Sequence, residues 1–404
     1  MFGLNKSKVI VDESKIEELL TRGVDRIYPS KEGLKSVLLS GKRLRLYQGF
    51  DPTGDKLHIG HMVGLRKHKQ WQDLGHEVIF LIGDGTGLAG DPSGKKKTRE
   101  KFFTQEELRE NAKNYLSQAE RVIDFGGTNP VKVMYNGDWL NKLNYKDILT
   151  IAQNFSVQQL IERDMFQERL KFGETINMRE FLYPLFQGYD SVAMDVDLEL
   201  GATDQTFNML TGRTLLKVMK NKEKFVMTTP LLLDSKGVKI GKSEGNVIGI
   251  GDKPVDIFGK IMSLGDDSII PLFTLLTDVL LEDINSYDIT NNPLELKKKV
   301  AKTIISELYS EKEASDSEVQ FENTFSKGQV PKDIDEVSIS KNALLVEVLV
   351  SKKIVSSKSD FRRLMDEGAI TLMDKDIKIE NLDEKAESGV YKIGKRRFIK
   401  INLK

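Results

Sequence analysis

The chain has 404 residues, no cysteine, and 61 basic residues balanced by 61 acidic ones. A chain of this length buries a large core and divides into roughly two or three domains, and zero cysteine excludes disulfides and thiol catalysis. Balanced charge excludes binding as a general polycation, so contact with nucleic acid has to come from a local basic patch.

Residues 1–13 mix Lys6, Lys8 and Asp12 with apolar residues and hold no continuous apolar stretch of the secretion-signal kind. The longest apolar tract, 269–281, is broken by Pro271 and Asp278 and is too short to span a bilayer. The expectation is a cytoplasmic protein with no membrane segment.

Residues 14–46 predict amphipathic helix. Leu44, Leu46 and Phe50 then fit a strand, and Asp51-Pro52-Thr53-Gly54 supplies turn chemistry. From His58 the residues Met62, Leu65 and Trp71, with small Gly64, suit a packed helix. A helix that starts at a strand end aims unpaired N–H groups and positive dipole outward, so a ligand there carries negative charge. His58 and His61 share one helical face, and Gly60 between them lets a flat ring approach the backbone. On spacing alone such a pair is more often a cap, a surface pair or a partial metal site. With no cysteine and four histidines in all, the composition argues against zinc, and no metal ligand is assigned.

The apolar run 78–83 predicts a second strand, leading into the glycine-rich loop 84–95. Strand, helix, strand over 44–83 predicts a parallel α/β sheet with a nucleotide crevice at the carboxyl ends of its strands. The loop is neither a Walker loop, since Lys96 follows Lys95, nor a dinucleotide fingerprint. Residues 100–180 are helical and charged around a strand at 131–134, an insertion that suits either a lid or a subunit contact. On the helix predicted over 179–193, Tyr183, Gln187 and Asp190 stand on one face, with Leu182, Phe186, Tyr189 and Ala193 available for packing. A polar stripe is usually solvated, but a phenol, an amide and one carboxylate differ from an ordinary Lys/Glu face and favour a ligand. Gly201-Ala202-Thr203-Asp204-Gln205 sets an acid at a strand end, where a ribose diol finds its acceptor. Lys239 and Lys242, among glycines and beside Ser243, suit a polyphosphate tail or a solvated hairpin tip.

Residues 251–325 predict helices with Leu272, Leu275, Leu276 and Leu280 inside, 326–341 predicts a linker, and a separate small domain begins at Asn342. Residues 341–404 hold 15 Lys or Arg against 10 Asp or Glu, a local charge of +5 that fits phosphate contacts.

In order along the chain, His58-Ile59-Gly60-His61 and Lys239-Ile240-Gly241-Lys242-Ser243 resemble the paired HIGH and KMSKS motifs of class I aminoacyl-tRNA synthetases. The blocks 47–53, 90–95, Tyr183-x3-Gln187-x2-Asp190 and 201–205 resemble tyrosyl-tRNA synthetases in particular, and the stretches 356–370 and 394–400 are similar to an S4 RNA-binding domain. The resemblance implies a Rossmann-like catalytic domain over 1–250 with a dimer-forming insertion at about 100–180. A helical tRNA-contacting domain over 251–325, a linker over 326–341 and an S4-like α+β domain over 342–404 complete the implied architecture.

It also implies roles. Tyr47 and Asp190 meet the phenol of L-tyrosine, while Asp91, Tyr183 and Gln187 hold its ammonium. Thr53, His58 and His61 contact the phosphates of ATP, Gly60 lies beneath adenine, Asp204 and Gln205 line the ribose and aminoacyl side, and Lys239, Lys242 and Ser243 close on pyrophosphate. The implied activity is tyrosine–tRNA ligation with ATP and Mg2+, acting on tRNA(Tyr) as a homodimer. A tryptophanyl ligase and a noncatalytic RNA-binding protein on the same scaffold are the alternatives. Ile240 and Gly241 depart from the usual lysine loop and are expected to loosen it, and Ala202 replaces a more usual glycine.

Overall fold

The computed structural model describes residues 8–93, 102–234, 237–240, 247–326, 334–375, 377–394 and 397–403. Its first sheet is built on β2 (Arg45–Phe50), whose Leu46, Tyr47 and Phe50 are buried and whose chain turns at Pro52 into the helix Ile59–Asp73. Around it stand β1 (Arg26–Tyr28), β3 (Glu77–Ile82), β4 (Lys132–Tyr135), β5 (Leu198–Ala202) and β6 (Phe225–Thr229), in the order β1-β6-β5-β2-β3-β4. All neighbours are parallel except β1, which runs antiparallel to β6. Chain direction of travel reverses at β2, which pairs with β3 on one side and β5 on the other, and such a switch point opens a crevice at the strands' carboxyl ends.

The expectation of amphipathic helix over 14–46 needs correction. Helices Glu13–Thr21 and Lys31–Leu39 flank β1, which is too short to carry a periodic signal and is held by a partner two hundred residues away in sequence, with Thr228 Oγ1 accepting from Arg26 N at 3.0 Å. Between β3 and β4, the helix Gln105–Ala119 packs back on the crevice. Its Asn111 donates to Pro52 O at 2.9 Å, Gln118 donates to Asp55 O at 3.0 Å, and Gln118 Oε1 accepts from Leu57 N at 2.9 Å, so the turn between β2 and its helix is braced from outside.

The helices Pro254–Met262, Ile269–Leu276 and Pro293–Leu308 bury Ile257, Phe258, Phe273, Val300 and Ile304. They fall within a compact unit, Met1–Ala314, that also contains the first sheet. Arg22 fastens them to the N-terminal helix by donating to Thr274 O at 3.0 Å and Phe273 O at 3.2 Å, cation against the carbonyl end of a helix.

The second unit, Ser315–Lys404, has its own core of Leu345, Leu349, Phe361, Ile370, Tyr391, Ile393 and Ile401. Its sheet comprises β7 (Asp335–Ile339), β8 (Ile370–Leu372), β9 (Ile377–Lys378), β10 (Gly389–Ile393) and β11 (Arg397–Leu403), in the order β7-β11-β10-β8-β9, with helices Leu345–Ser351 and Lys358–Asp366. Strand β7 lies inside the stretch expected to be linker. Its alternation buries only Val337, and its place comes from parallel pairing with β11, a long-range partner that local composition does not reveal.

Candidate functional site

A cavity of about 270 Å³ occupies the crevice at the carboxyl ends of β2 and β5. Tyr47, Thr53, His58, Gly60, His61, Asp91, Tyr183, Gln187, Asp190, Asp204, Gln205 and Lys239 all line it, so residues scattered over nearly two hundred positions converge. Lys242 and Ser243 lie outside the described residues.

His58 is the N-cap of the helix Ile59–Asp73: its Nδ1 accepts from Gly60 N at 3.1 Å, while His61 Nδ1 accepts from His58 N at 3.1 Å. The two rings stack with centroids 3.9 Å apart. Capping and lining the cavity are therefore one arrangement, because occupying both Nδ1 atoms leaves the proton of each neutral ring on Nε2, a donor. Gly60 has a nearer constraint than an approaching ligand. A Cβ there would stand 2.9 Å from His58 Cε1, so the glycine makes room for the capping ring itself.

Acids gather at the other side. Asp190 is buried on the helix Met178–Met194, accepting from Trp139 Nε1 at 2.8 Å and Asn136 Nδ2 at 3.1 Å. Burial pushes its carboxyl well above the usual range, opposed by those two donors. Tyr183 donates to Asp51 Oδ2 at 2.9 Å, and Asp91 Oδ2 accepts from Gln205 Nε2 at 3.0 Å. Gln187 Nε2 donates to Glu199 Oε1 at 3.1 Å, leaving Gln187 Oε1 buried without a partner among the described residues. Tyr47, only 1% exposed, hydrogen bonds through its hydroxyl to Ser191 Oγ at 2.9 Å. An acceptor-rich wall of this kind suits a ligand that brings N–H and O–H donors.

Where the strand β5 ends, Asp204 receives Lys239 Nζ at 2.8 Å. Lys239 sits on a hairpin arm that pairs with Leu233. Next to it Ile240 is buried and donates its backbone N–H to Leu232 O at 2.8 Å, and Gly241, the other departure from the usual lysine loop, lies outside the described residues.

The family model for tRNA synthetases of class I (W and Y) matches residues 39–326. A tyrosine–tRNA ligase of Carboxydothermus hydrogenoformans is 42% identical over 97% of this chain and 98% of its own length. That of Photobacterium profundum is 40% identical over 97% of this chain and all of its own. The chain belongs to the tyrosyl-tRNA synthetase family of class I. The fold agrees with that of the tyrosyl-tRNA synthetase of Archaeoglobus fulgidus, solved with L-tyrosine, at a TM-score of 0.61 and 20% identity, covering 76% of this chain and 99% of that one.

For a member of this family, sequence reasoning leaves out several residues that line the cavity or lie behind its lining. Asp51 was part of the turn motif and was read only as a turn former. Glu199 carried a usable signal, an acid in the middle of an otherwise apolar strand. Asn136, Trp139, Ser191 and Lys224 carried none, because each acts through a contact across elements: Lys224, on the approach to β6, is buried in an ion pair with Glu199.

Proposed function

We infer that the protein is a tyrosine–tRNA ligase: it activates L-tyrosine with ATP to tyrosyl-adenylate and pyrophosphate, then transfers the tyrosyl group to the 3′-terminal ribose of tRNA(Tyr). The observation that carries this reading is the pairing of Tyr47 with Asp190 on one cavity wall, in a chain whose full-length relatives are named for that reaction. One hydroxyl and one carboxylate match the acceptor and donor of a phenol, whereas the indole of tryptophan has a donor alone. Asp91, Tyr183 and Gln187 take the substrate ammonium, with the unpartnered Gln187 Oε1 as one acceptor.

The substrate carboxylate is already an anion, so its attack on the α-phosphorus needs no protein base. Positioning and charge stabilisation supply the rate. Thr53 and the Nε2–H groups of His58 and His61 face the phosphates at the positive end of a helix, Gly60 lies beneath adenine, and Asp204 and Gln205 accept from ribose. Lys239 moves from Asp204 to the departing pyrophosphate, joined by Lys242 and Ser243. Mg2+ enters with the nucleotide. No tightly held cofactor is called for.

The excess of positive charge in residues 341–404 supports contact of the second unit with tRNA. The domain limits at 250 and 325 belong to the same proposal, while the limit at 341 gives way to Asp335, where β7 begins the second sheet. Exposed apolar Tyr145, Leu149, Phe172 and Met178 on the insertion support a homodimer. No helix among the described residues is long and apolar enough to cross a membrane, and a cytoplasmic location belongs to the same proposal. Incubation of the full chain with ATP, Mg2+, labelled tyrosine and a tRNA(Tyr) transcript should yield label on the RNA 3′ end that mild base releases. Binding of the transcript with no charging would replace the ligase by the noncatalytic RNA-binding reading.

A further inference from the structure

Behind Tyr47 lies a buried polar network that neither the motifs nor the steps above use. Lys224 Nζ forms an ion pair with Glu199 Oε2 and donates to Ser191 Oγ at 2.6 Å, and both Lys224 and Ser191 are buried. Ser191 Oγ lies 2.9 Å from Tyr47 Oη and 3.3 Å from Glu199 Oε2. An ammonium has three donors and no acceptor, so Lys224 obliges the serine oxygen to accept. The serine then has one proton to place. Its shorter contact is to Tyr47, and Glu199 already receives Lys224 and Gln187. With Ser191 donating to Tyr47 Oη, the Tyr47 proton turns away from the serine, leaving the Glu199 carboxylate, already engaged by Lys224 and Gln187, and a substrate oxygen in the cavity as its acceptors. Burial, followed by the charges of Glu199 and Asp190, holds the Tyr47 hydroxyl well above its ordinary range, so that proton stays in place.

We propose that Ser191, fixed as an acceptor by Lys224, is a positioning residue that turns the Tyr47 hydroxyl proton toward the substrate and thereby sets the preference for a phenolic over a phenyl side chain. The inference rests on the tyrosine–tRNA ligase reading and adds a specificity determinant to it. A donor aimed at the phenol oxygen leaves Asp190 to accept the phenol proton, so both halves of the substrate hydroxyl are matched. Phenylalanine satisfies neither. An unfixed Tyr47 hydroxyl would select between the two amino acids less well, because it could spend its proton elsewhere.

The test is tyrosine- and phenylalanine-dependent exchange of pyrophosphate into ATP by the full chain, comparing the wild type with Ser191→Ala and the near-isosteric Ser191→Cys. Wild-type exchange with tyrosine tests the underlying ligase reading separately, and its absence would overturn both. The expected result for the variants is a rise of about tenfold in KM for tyrosine, with kcat/KM for phenylalanine and KM for ATP each within about twofold of wild type. The ratio of tyrosine to phenylalanine kcat/KM then falls about tenfold. A ratio unchanged in whichever variant folds, or an equal loss for both amino acids, would overturn the role of Ser191.

Discussion

Lys239 and Asp204 are joined across the cavity, Nζ to Oδ2 at 2.8 Å, so the loop cation rests on the carboxylate proposed to accept the ribose diol. On the proposed assignment, nucleotide and lysine exchange partners during the reaction. Lys239→Met should lower the rate of adenylate formation about 10²-fold while KM for tyrosine changes little, because the ammonium acts on charge that develops as pyrophosphate leaves. Pre-steady-state formation of tyrosyl-adenylate checks this, and an effect confined to tyrosine binding would contradict it.

Asp190→Asn should cut the preference for tyrosine over phenylalanine by about tenfold or more. Trp139 Nε1 and Asn136 Nδ2 both donate to Asp190, and Asn136 Oδ1 is already committed to Gly85 N at 2.8 Å, so Asn136 cannot turn round to accept from a new amide. One half of the substituted side chain must meet a donor. Relative kcat/KM for the two amino acids is the readout, and unchanged discrimination would remove Asp190 from the substrate pocket.

The Gly60→Ala variant is expected to keep its fold and lose nucleotide affinity. Alanine suits a helix better than glycine, yet its Cβ would press on the His58 ring at 2.9 Å and shift the stacked pair. A rise of about tenfold in KM for ATP, with melting temperature within about 3 °C of wild type, is the predicted outcome. Unaltered ATP kinetics would show that the His58 position is not constrained from Gly60.

Lys67 gives the first unit a pH dependence. Its ammonium is buried in the helix Ile59–Asp73, donating to Leu19 O and Gln70 Oε1 at 2.8 Å, and burial lowers its pKa to about 7 from an ordinary 10.5, with Glu18 opposing and Arg22 and Arg66 reinforcing. Between those two values the unfolded chain holds a proton that the folded chain has released. Stability from this group is therefore complete above pH 10.5 and is lost as pH falls toward about 7. Thermal melts at about pH 7 and about pH 9 should show wild type gaining relative to Lys67→Met at the higher pH. Parallel changes in the two proteins would contradict this assignment.

How much of this could be read in advance depended on how local each signal was. The passage from β2 into the helix Ile59–Asp73 was legible because turn residues, apolar period and capping chemistry sit within fifteen or so positions. The stripe of Tyr183, Gln187 and Asp190 was legible because one helix presents all three. Strands β1 and β7 were not, each being defined by a distant neighbour instead of its own pattern. Lys224 and Ser191 escaped for the same reason: a buried lysine beside a strand acquires meaning only when the sheet sets Glu199 against it.

Removal of residues 327–404 tests the division of labour. The unit Met1–Ala314 has its own core and the whole described cavity, so the truncated chain should retain tyrosine-dependent exchange within about threefold and lose tRNA charging about tenfold or more at moderate salt. Equal loss of both activities would tie the second unit to adenylate chemistry.

The most direct test of the whole account is exchange of labelled pyrophosphate into ATP with Mg2+, run separately with each of the twenty amino acids. Exchange with tyrosine and with no other amino acid at comparable rate is the predicted result, since Tyr47 and Asp190 together match a phenol. Exchange driven by tryptophan would contradict the pocket assignment, and folded protein that exchanges with none of them would contradict the ligase itself.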